Sequence, residues 1–209
     1  MPVIKQMKMR RGRPERFIIT LEEGEELVMS PEIVLKFGLS PGNSFSDDEF
    51  LKILRDDSIR QAKDQALRYL TVRPHSRREL WRKLREKGHR REVIDQVLDQ
   101  LENVDLVNDE QFTRLFIQNE LRLRPAGKML LIQKLVQRGI PREMYEPLLN
   151  ELLSEAEEME IARSLAKKFV KSHSRAKGDK LKEKLVRYLQ GKGFHWEQIK
   201  QVVPAKNEE

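Results

Sequence analysis

The chain has no cysteine in its 209 residues. That excludes a disulfide framework and a thiolate metal site, and it fits a reducing compartment. Aromatic residues make up only 6% of it. No apolar run approaches the roughly 18 residues that cross a bilayer. The basic N-terminus, MPVIKQMKMRRGRPER, lacks the apolar stretch of a secretory signal. A soluble, cytoplasmic protein without a membrane partner is expected. The four histidines, His75, His89, His173 and His195, have no partner at metal-ligand spacing. There is no glycine-rich phosphate loop, and Asp47, Asp48 and Glu49 read as helix-start chemistry. Neither an enzyme activity nor a cofactor is expected.

What the chain does have is a repeated helical pattern. Residues 76–101, SRRELWRKLREKGHRREVIDQVLDQL, read as two short helices joined at Gly88. Ser76 and Glu79 have capping-box spacing. Leu80, Trp81 and Leu84 share a face, and Val93, Ile94, Val97, Leu98 and Leu101 form a second stripe of helical period. Helices this short are marginal alone and need neighbours. A shift of 51 residues sets Leu131, Leu135, Gly139, Tyr145, Leu148 and Leu152 on Leu80, Leu84, Gly88, Ile94, Val97 and Leu101. A further 54 brings Leu185, Leu189, Gly193, Ile199 and Val202 into phase. Each unit also has an upstream helical stretch, marked by Ala66, Leu67 and Leu70, then Phe112, Leu115 and Phe116, then Ile161, Leu165 and Phe169. The fold expected is mainly α: an elongated array of three tandem three-helix repeats at residues 61–107, 108–153 and 154–203. A charged fraction of 36% suits the large surface of such an array. Pro147 lies inside the last helix of the second unit, so that helix either kinks there or starts later.

Residues 1–60 read as a basic arm followed by a small α/β module. Residues 1–16 offer nothing for a core and are expected to be flexible. Residues 17–21 and 27–29 are β-rich, with a glutamate-rich turn between them. Ser30 and Pro31 form a helix start, and that helix ends at Gly38. Ser46 caps another helix running into the array, to about Tyr69. Residues 204–209 are expected to fray.

The net charge is +7, and it is unevenly spread. Residues 1–16 carry +5 and residues 17–61 carry −6; the three units carry +3, +1 and +5. Within residues 63–91 there are eleven basic and three acidic residues, whereas the helix expected next carries Glu92, Asp95, Asp99, Glu102 and Asp105. Alternation of basic and acidic helices suggests one face much more positive than the other. Arg73, Arg77, Arg78, Arg82, Lys83, Arg85 and Lys87 crowd one helix. Arg77 and Arg78 sit in its first turn, where the helix dipole disfavours cations. Arg122, Arg124 and Lys128 flank the second break. Lys167, Lys168, Lys171, Arg175 and Lys177 form a third basic region. Such residues can track a phosphate backbone, with affinity falling steeply in salt. The plainer alternative is a solvated face with i,i+4 pairs, which is the expected role of Glu79 and Lys83. Trp81 could stack on a base, but its place beside Leu80 and Leu84 favours the core. Tyr69 and Phe116 read as core too, and Trp196, next to Phe194, as a cap on the end of the array.

The first unit carries L-x-x-R-x-x-S-x-x-E-L-x-x-x-L-x-x-x-G at Leu70, Arg73, Ser76, Glu79, Leu80, Leu84 and Gly88. The second opens Asn108-Asp109-Glu110-Gln111-Phe112 and continues through Arg122, Gly127, Leu131, Leu135, Gly139 and Ile140. This pattern resembles the RecX family of regulatory proteins over residues 62–203. The third unit departs from it in lacking a capping serine where Ser76 stands, and in its longer loop. The resemblance implies an all-helical bacterial protein of the cytoplasm. It implies a modulator, most often an inhibitor, of the RecA recombinase that lies in the groove of the RecA–DNA filament, in homologous recombination, DNA repair and the SOS response. The partners so implied are the RecA filament and DNA, single- or double-stranded, engaged by a monomer. Without the resemblance, the residues support a basic, nucleic-acid-binding helical module with no recombinase partner. A protein–protein scaffold in which the charge plays no part is a third reading.

Overall fold

A computed structural model describes residues 1–12, 15–173 and 178–203. The residues 204–209 expected to fray lie outside that set. The described chain is mainly helical, with a three-stranded antiparallel sheet at its start in the order β1-β2-β3. The strands are β1 (Ile4–Arg10), β2 (Arg16–Leu21) and β3 (Glu26–Met29). The helices are α1 (Pro31–Lys36), α2 (Asp47–Val72), α3 (Arg77–Glu86), α4 (Arg91–Glu102), α5 (Asp109–Leu123), α6 (Lys128–Gln137), α7 (Arg142–Leu152), α8 (Glu155–Ser172), α9 (Asp179–Gly191) and α10 (Trp196–Val202). The chain divides into two compact units. The first holds Met1–Pro74 and Leu80–Val107; the second holds His75–Glu79 and the chain from Asn108 onward.

In the first unit the expectation of a flexible N-terminal arm is overturned. Residues 4–10 form β1, paired with β2 from Ile4 opposite Leu21 to Arg10 opposite Arg16. The Ile4 N–H donates to the Asn43 carbonyl and the Ile4 carbonyl accepts from Gly42. Its side chain is 3% exposed, in a cluster with Ile19, Leu21, Met29, Ile33, Val34, Leu39 and Ile53. The signal was present in Met7-Lys8-Met9-Arg10, an apolar/basic alternation with the two-residue period of a strand. Ser30 precedes α1 as expected, but its hydroxyl makes no capping bond; its N–H donates to Asp57 Oδ1 instead. At the start of α2, Ser46 and Glu49 form both halves of a capping box. α2 then runs unbroken past residue 60, contributing Ile53 to the sheet cluster and Ala62 and Ala66 to a second cluster with Leu80, Leu84, Ile94, Val97, Leu98 and Leu101.

The second unit has its own two clusters. Phe112, Ile117, Leu131, Leu135, Ile140, Leu148 and Leu149 form one; Ala162, Leu165, Leu185, Leu189, Phe194 and Ile199 form the other. α7 runs through Pro147. Pro147 and Glu143 are both exposed, so the carbonyl deprived of its amide partner faces water. Leu115, one of the apolar residues that mark this helix in the sequence, is 46% exposed. Ile117 takes the buried position of α5 instead.

The periodic glycines end α3, α6 and α9 in one and the same way. Gly88, Gly139 and Gly193 have φ of +87°, +80° and +83°. Each donates its N–H three residues back, to Arg85, Val136 and Gln190, and the following N–H, of His89, Ile140 and Phe194, reaches the carbonyls of Leu84, Leu135 and Leu189. That is the Schellman pattern, which satisfies carbonyls left over at a helix end. A left-handed φ costs an L-residue about 1–2 kcal/mol, which explains the glycine.

Two of these ends receive the start of the preceding middle helix, both within the second unit. Ser76 Oγ donates to the Arg138 carbonyl at 2.7 Å, and the Gly127 N–H donates to the Lys192 carbonyl at 2.9 Å. Ser76 and Gly127 are 51 residues apart, and Arg138 and Lys192 are 54 apart, so both joints keep the repeat register. A Cβ on Gly139 would meet the Arg78 side chain, and one on Gly193 would lie 2.3 Å from the Leu130 nitrogen. A Cβ on Gly88 would meet nothing within 4 Å. Gly88→Ala is therefore expected to cost about 1–2 kcal/mol, and Gly193→Ala roughly 1–3 kcal/mol more, from overpacking. Urea unfolding of the two variants checks this; equal losses would show that the close approach is not tight.

Candidate nucleic-acid interface

α3 carries the densest group of cations, and the structure divides them by what holds each. Leu80 and Leu84 point into the core. Arg78, Arg82 and Arg85, spaced i, i+4 and i+7, lie on the opposite, exposed side. Arg82 makes one loose i,i+4 pair with Glu86, at 3.7 Å. The Arg85 guanidinium touches the His89 carbonyl at 3.3 Å. Arg78 makes no hydrogen bond or ion pair among the described residues, and its aliphatic stem covers Gly139. Lys87, just past the helix end, is exposed. Lys83 is turned inward, its ammonium 4.8 Å from the centre of the Tyr69 ring. Arg73 caps the C-terminus of α2 and donates to the Pro74 carbonyl at 2.7 Å.

Arg77 has a structural explanation. Its N–H, the first of α3, donates to Asp109 Oδ1 at 2.8 Å, and its charge lies close enough to Asp109 to attract it. A carboxylate at a helix start offsets the dipole. The burden of a cation in that turn is thus met within the fold, and only Arg78 retains the sequence argument for an outside partner. Lys128, the residue 51 positions on, repeats the device: its N–H donates to Glu158 Oε1 at 2.6 Å. Its ammonium contacts Asn150. Arg122 and Arg124, at the end of α5, are exposed, Arg122 resting against Asn119. Among the described residues no hydrogen bond or ion pair ties these two to Lys128; they flank a break rather than build a pocket. Lys167, Lys168 and Lys171 are exposed on α8, while Arg175 and Lys177 lie outside the described residues.

The pair expected between Glu79 and Lys83 does not form. Glu79 faces Arg138 instead, at 3.5 Å. Arg138 is the residue that sequence reasoning missed. Its guanidinium lies 4.4 Å from the Phe116 ring centre and donates to the Lys134 carbonyl, while its own carbonyl receives Ser76. A cation over a ring adds about 0.5–2 kcal/mol. The Glu79 N–H donates to Ser76 Oγ at 3.1 Å, the capping half that the spacing promised.

Trp81 belongs to the core side. It packs on the α3–α4 cluster, and its indole N–H donates to Asp95 Oδ1 at 3.0 Å. Trp196 is no cap: it is 51% exposed, and Phe194 is the residue that is buried there. The histidines are scattered, and the described residues hold no group of metal-binding side chains. Burial holds the His89 imidazole below its usual range. No described helix is long and apolar enough to cross a membrane.

A family model described as the first three-helix domain of RecX matches residues 62–101, and one described as the third matches residues 156–203. The regulatory protein RecX of Geobacillus kaustophilus is 32% identical over 193 residues, covering 90% of this chain and 71% of that protein. The chain belongs to the RecX family. The third unit, despite its missing serine, is matched in its own right. A second regulatory protein RecX, from Finegoldia magna, is 26% identical over 91% of this chain and 93% of its own length. Two solved RecX structures share the fold. One covers 97% of this chain, N-terminal sheet included, with a TM-score of 0.70 at 19% identity; the other, from Lactobacillus salivarius, covers 71% with a TM-score of 0.62 at 24% identity. The Geobacillus and Finegoldia relatives are named as regulatory proteins, not enzymes.

Burial raises the Asp109 carboxyl above its ordinary range, with the Arg77 N–H and charge opposing the shift. A raised folded value means that the group's contribution to stability is complete below the unfolded value and declines as pH rises through the folded one. The neutral isostere Asp109→Asn has no such dependence. Its stability relative to wild type should improve between pH 3.5 and pH 7 in urea unfolding. A difference that is flat or runs the other way would mean that Asp109 ionises freely.

Proposed function

We propose that the protein restrains the RecA recombinase by lying in the groove of the RecA–DNA filament as a monomer, in the cytoplasm. It acts by occupancy, without catalysis or cofactor, and so bears on homologous recombination, DNA repair and the SOS response. Membership of the RecX family supports the partner. The observation that carries the mode of contact is the outward row of Arg78, Arg82 and Arg85 on α3, whose opposite face is committed to Leu80 and Leu84. Three guanidiniums about one helical turn apart can each engage a phosphate or a carboxylate through paired N–H donors. Arg73, Lys83 and Lys87 of the first unit, and Arg77, Arg122, Arg124 and Lys128 of the second, are the further cations proposed to contact the filament. Arg77 and Lys83 contribute field more than contact, because Asp109 attracts the charge of the one and the Tyr69 ring lies against the ammonium of the other. Bound across neighbouring recombinase subunits, the protein hinders filament extension.

The test is ATP hydrolysis by recombinase filaments on single-stranded DNA, titrated with wild type and with the Arg78→Gln, Arg82→Glu, Arg85→Glu triple variant. The concentration for half-inhibition should rise at least tenfold while the circular dichroism melt stays unchanged. Each phosphate contact removed should flatten the log–log salt dependence of DNA binding by about 0.7–0.9. Unaltered inhibition by the folded variant would remove the mechanism. Equal affinity for bare DNA and for the filament would point to a general nucleic-acid-binding module instead.

A further inference from the structure

Trp196 is the first residue of α10, and half of its surface is exposed. Trp81 has its ring on the core and its N–H on Asp95; the Trp196 side chain makes no hydrogen bond or ring contact among the described residues. It lines a cleft of about 660 Å³ with Met129, Leu130, Gln133, Gln190 and Gly193. That volume lies in the range of small-ligand sites, roughly 300–1,000 Å³. The floor is firm, because the Gly193 backbone is packed against Leu130 with no room for a Cβ. Met129 presents a second large apolar side chain, 49% exposed. Gln133 and Gln190 are exposed, and their amides make no hydrogen bond among the described residues. The surrounding segment, residues 178–203, has six basic and three acidic residues. Glu197, the carboxylate nearest in sequence, is paired with Lys200 at 2.9 Å.

We infer that this cleft takes one unpaired base of a single-stranded nucleic acid, stacked on Trp196, with its edge hydrogen-bonded by Gln133 and Gln190. A base has what the cleft lacks: a flat π-face for the indole, and donors and acceptors at its rim for two unpaired amides. An aliphatic side chain of a protein partner would cover the indole and leave those amides unpaired, at a cost. The basic segment supplies the attraction for the adjoining phosphates. The inference rests on the nucleic-acid part of the function proposed above and adds an element to it: a preference for unpaired strands.

Titration of the full-length protein with oligothymidylate tests this without recombinase. Tryptophan emission should be quenched by the oligothymidylate, but not by an abasic strand or a duplex of equal length. Trp196→Phe, which keeps a ring, should lose most of the quench. Trp196→Ala should weaken binding of the labelled strand about tenfold, in line with the usual loss for one stacked base, with an unchanged helical spectrum. Gln133→Ala with Gln190→Ala should weaken it further. The α3 arginine variant should keep the quench, which separates this site from that one. Equal binding by Trp196→Ala, or equal quenching by the abasic strand, would overturn the inference. So would a Trp196→Ala protein that binds the strand normally but no longer acts on the recombinase, since the cleft would then hold a protein side chain.

Discussion

Each middle helix of the three repeats ends on a residue that turns left, and this turn governs what the next contact can be. With Gly139 and Gly193 at φ near +80°, the chain exposes a carbonyl just before the glycine, on Arg138 and on Lys192. The start of the preceding middle helix lands there, through Ser76 in one joint and Gly127 in the other. The same start is held from a second direction by a carboxylate on the first helix of the next triplet, Asp109 or Glu158. A helix start has N–H groups with no internal partner, and here the neighbouring repeat supplies acceptors for them. Gly88, with no earlier repeat to receive, keeps the left-handed turn but has open space around it. The glycine serves helix termination in all three repeats and close packing in two.

This organisation changes how the charge is understood. A chain with 41 basic residues invites assignment of its cations to a partner. Much of the conspicuous charge is internal business. Arg138 joins Glu79, Phe116 and Ser76 at one joint; Arg114 grips Glu151 with two bonds; Lys134 holds Glu120. The exposed pairs among these contribute little each to stability. Their value for interpretation is subtractive: what remains outward and lightly held on α3 is Arg78, Arg82 and Arg85.

The repeat was legible because two independent signals agreed, an apolar period and a glycine in phase. Leu80, Leu84, Leu131, Leu135, Leu185 and Leu189 are all buried where the register put them. The RecX resemblance rested on the same positions. The joints were not legible, because Ser76 looks like an ordinary cap and nothing in one sequence shows that its hydroxyl also serves a carbonyl 62 residues away. Arg138 was hidden for the same reason. β1 was misread because its cations outweighed a two-residue alternation. Of the tryptophans, Trp81 lies on the core as expected, with a carboxylate for its N–H, while Trp196, expected to cap the array, is exposed at a helix start. A neighbouring phenylalanine does not decide such an outcome, since a side chain's direction depends on where its helix begins.

Backbone amide exchange, residue by residue, tests the joints most directly. First-turn amides ordinarily exchange fast, having no partner inside the helix. At Arg77, Gly127, Lys128 and Met129 the acceptors are Asp109, Lys192, Glu158 and Gly193. Those four amides should be slowed to the level of mid-helix positions in α6. Exchange as fast as at an uncapped helix start would contradict the docking of one repeat on the next, and with it the reason for glycine at 139 and 193.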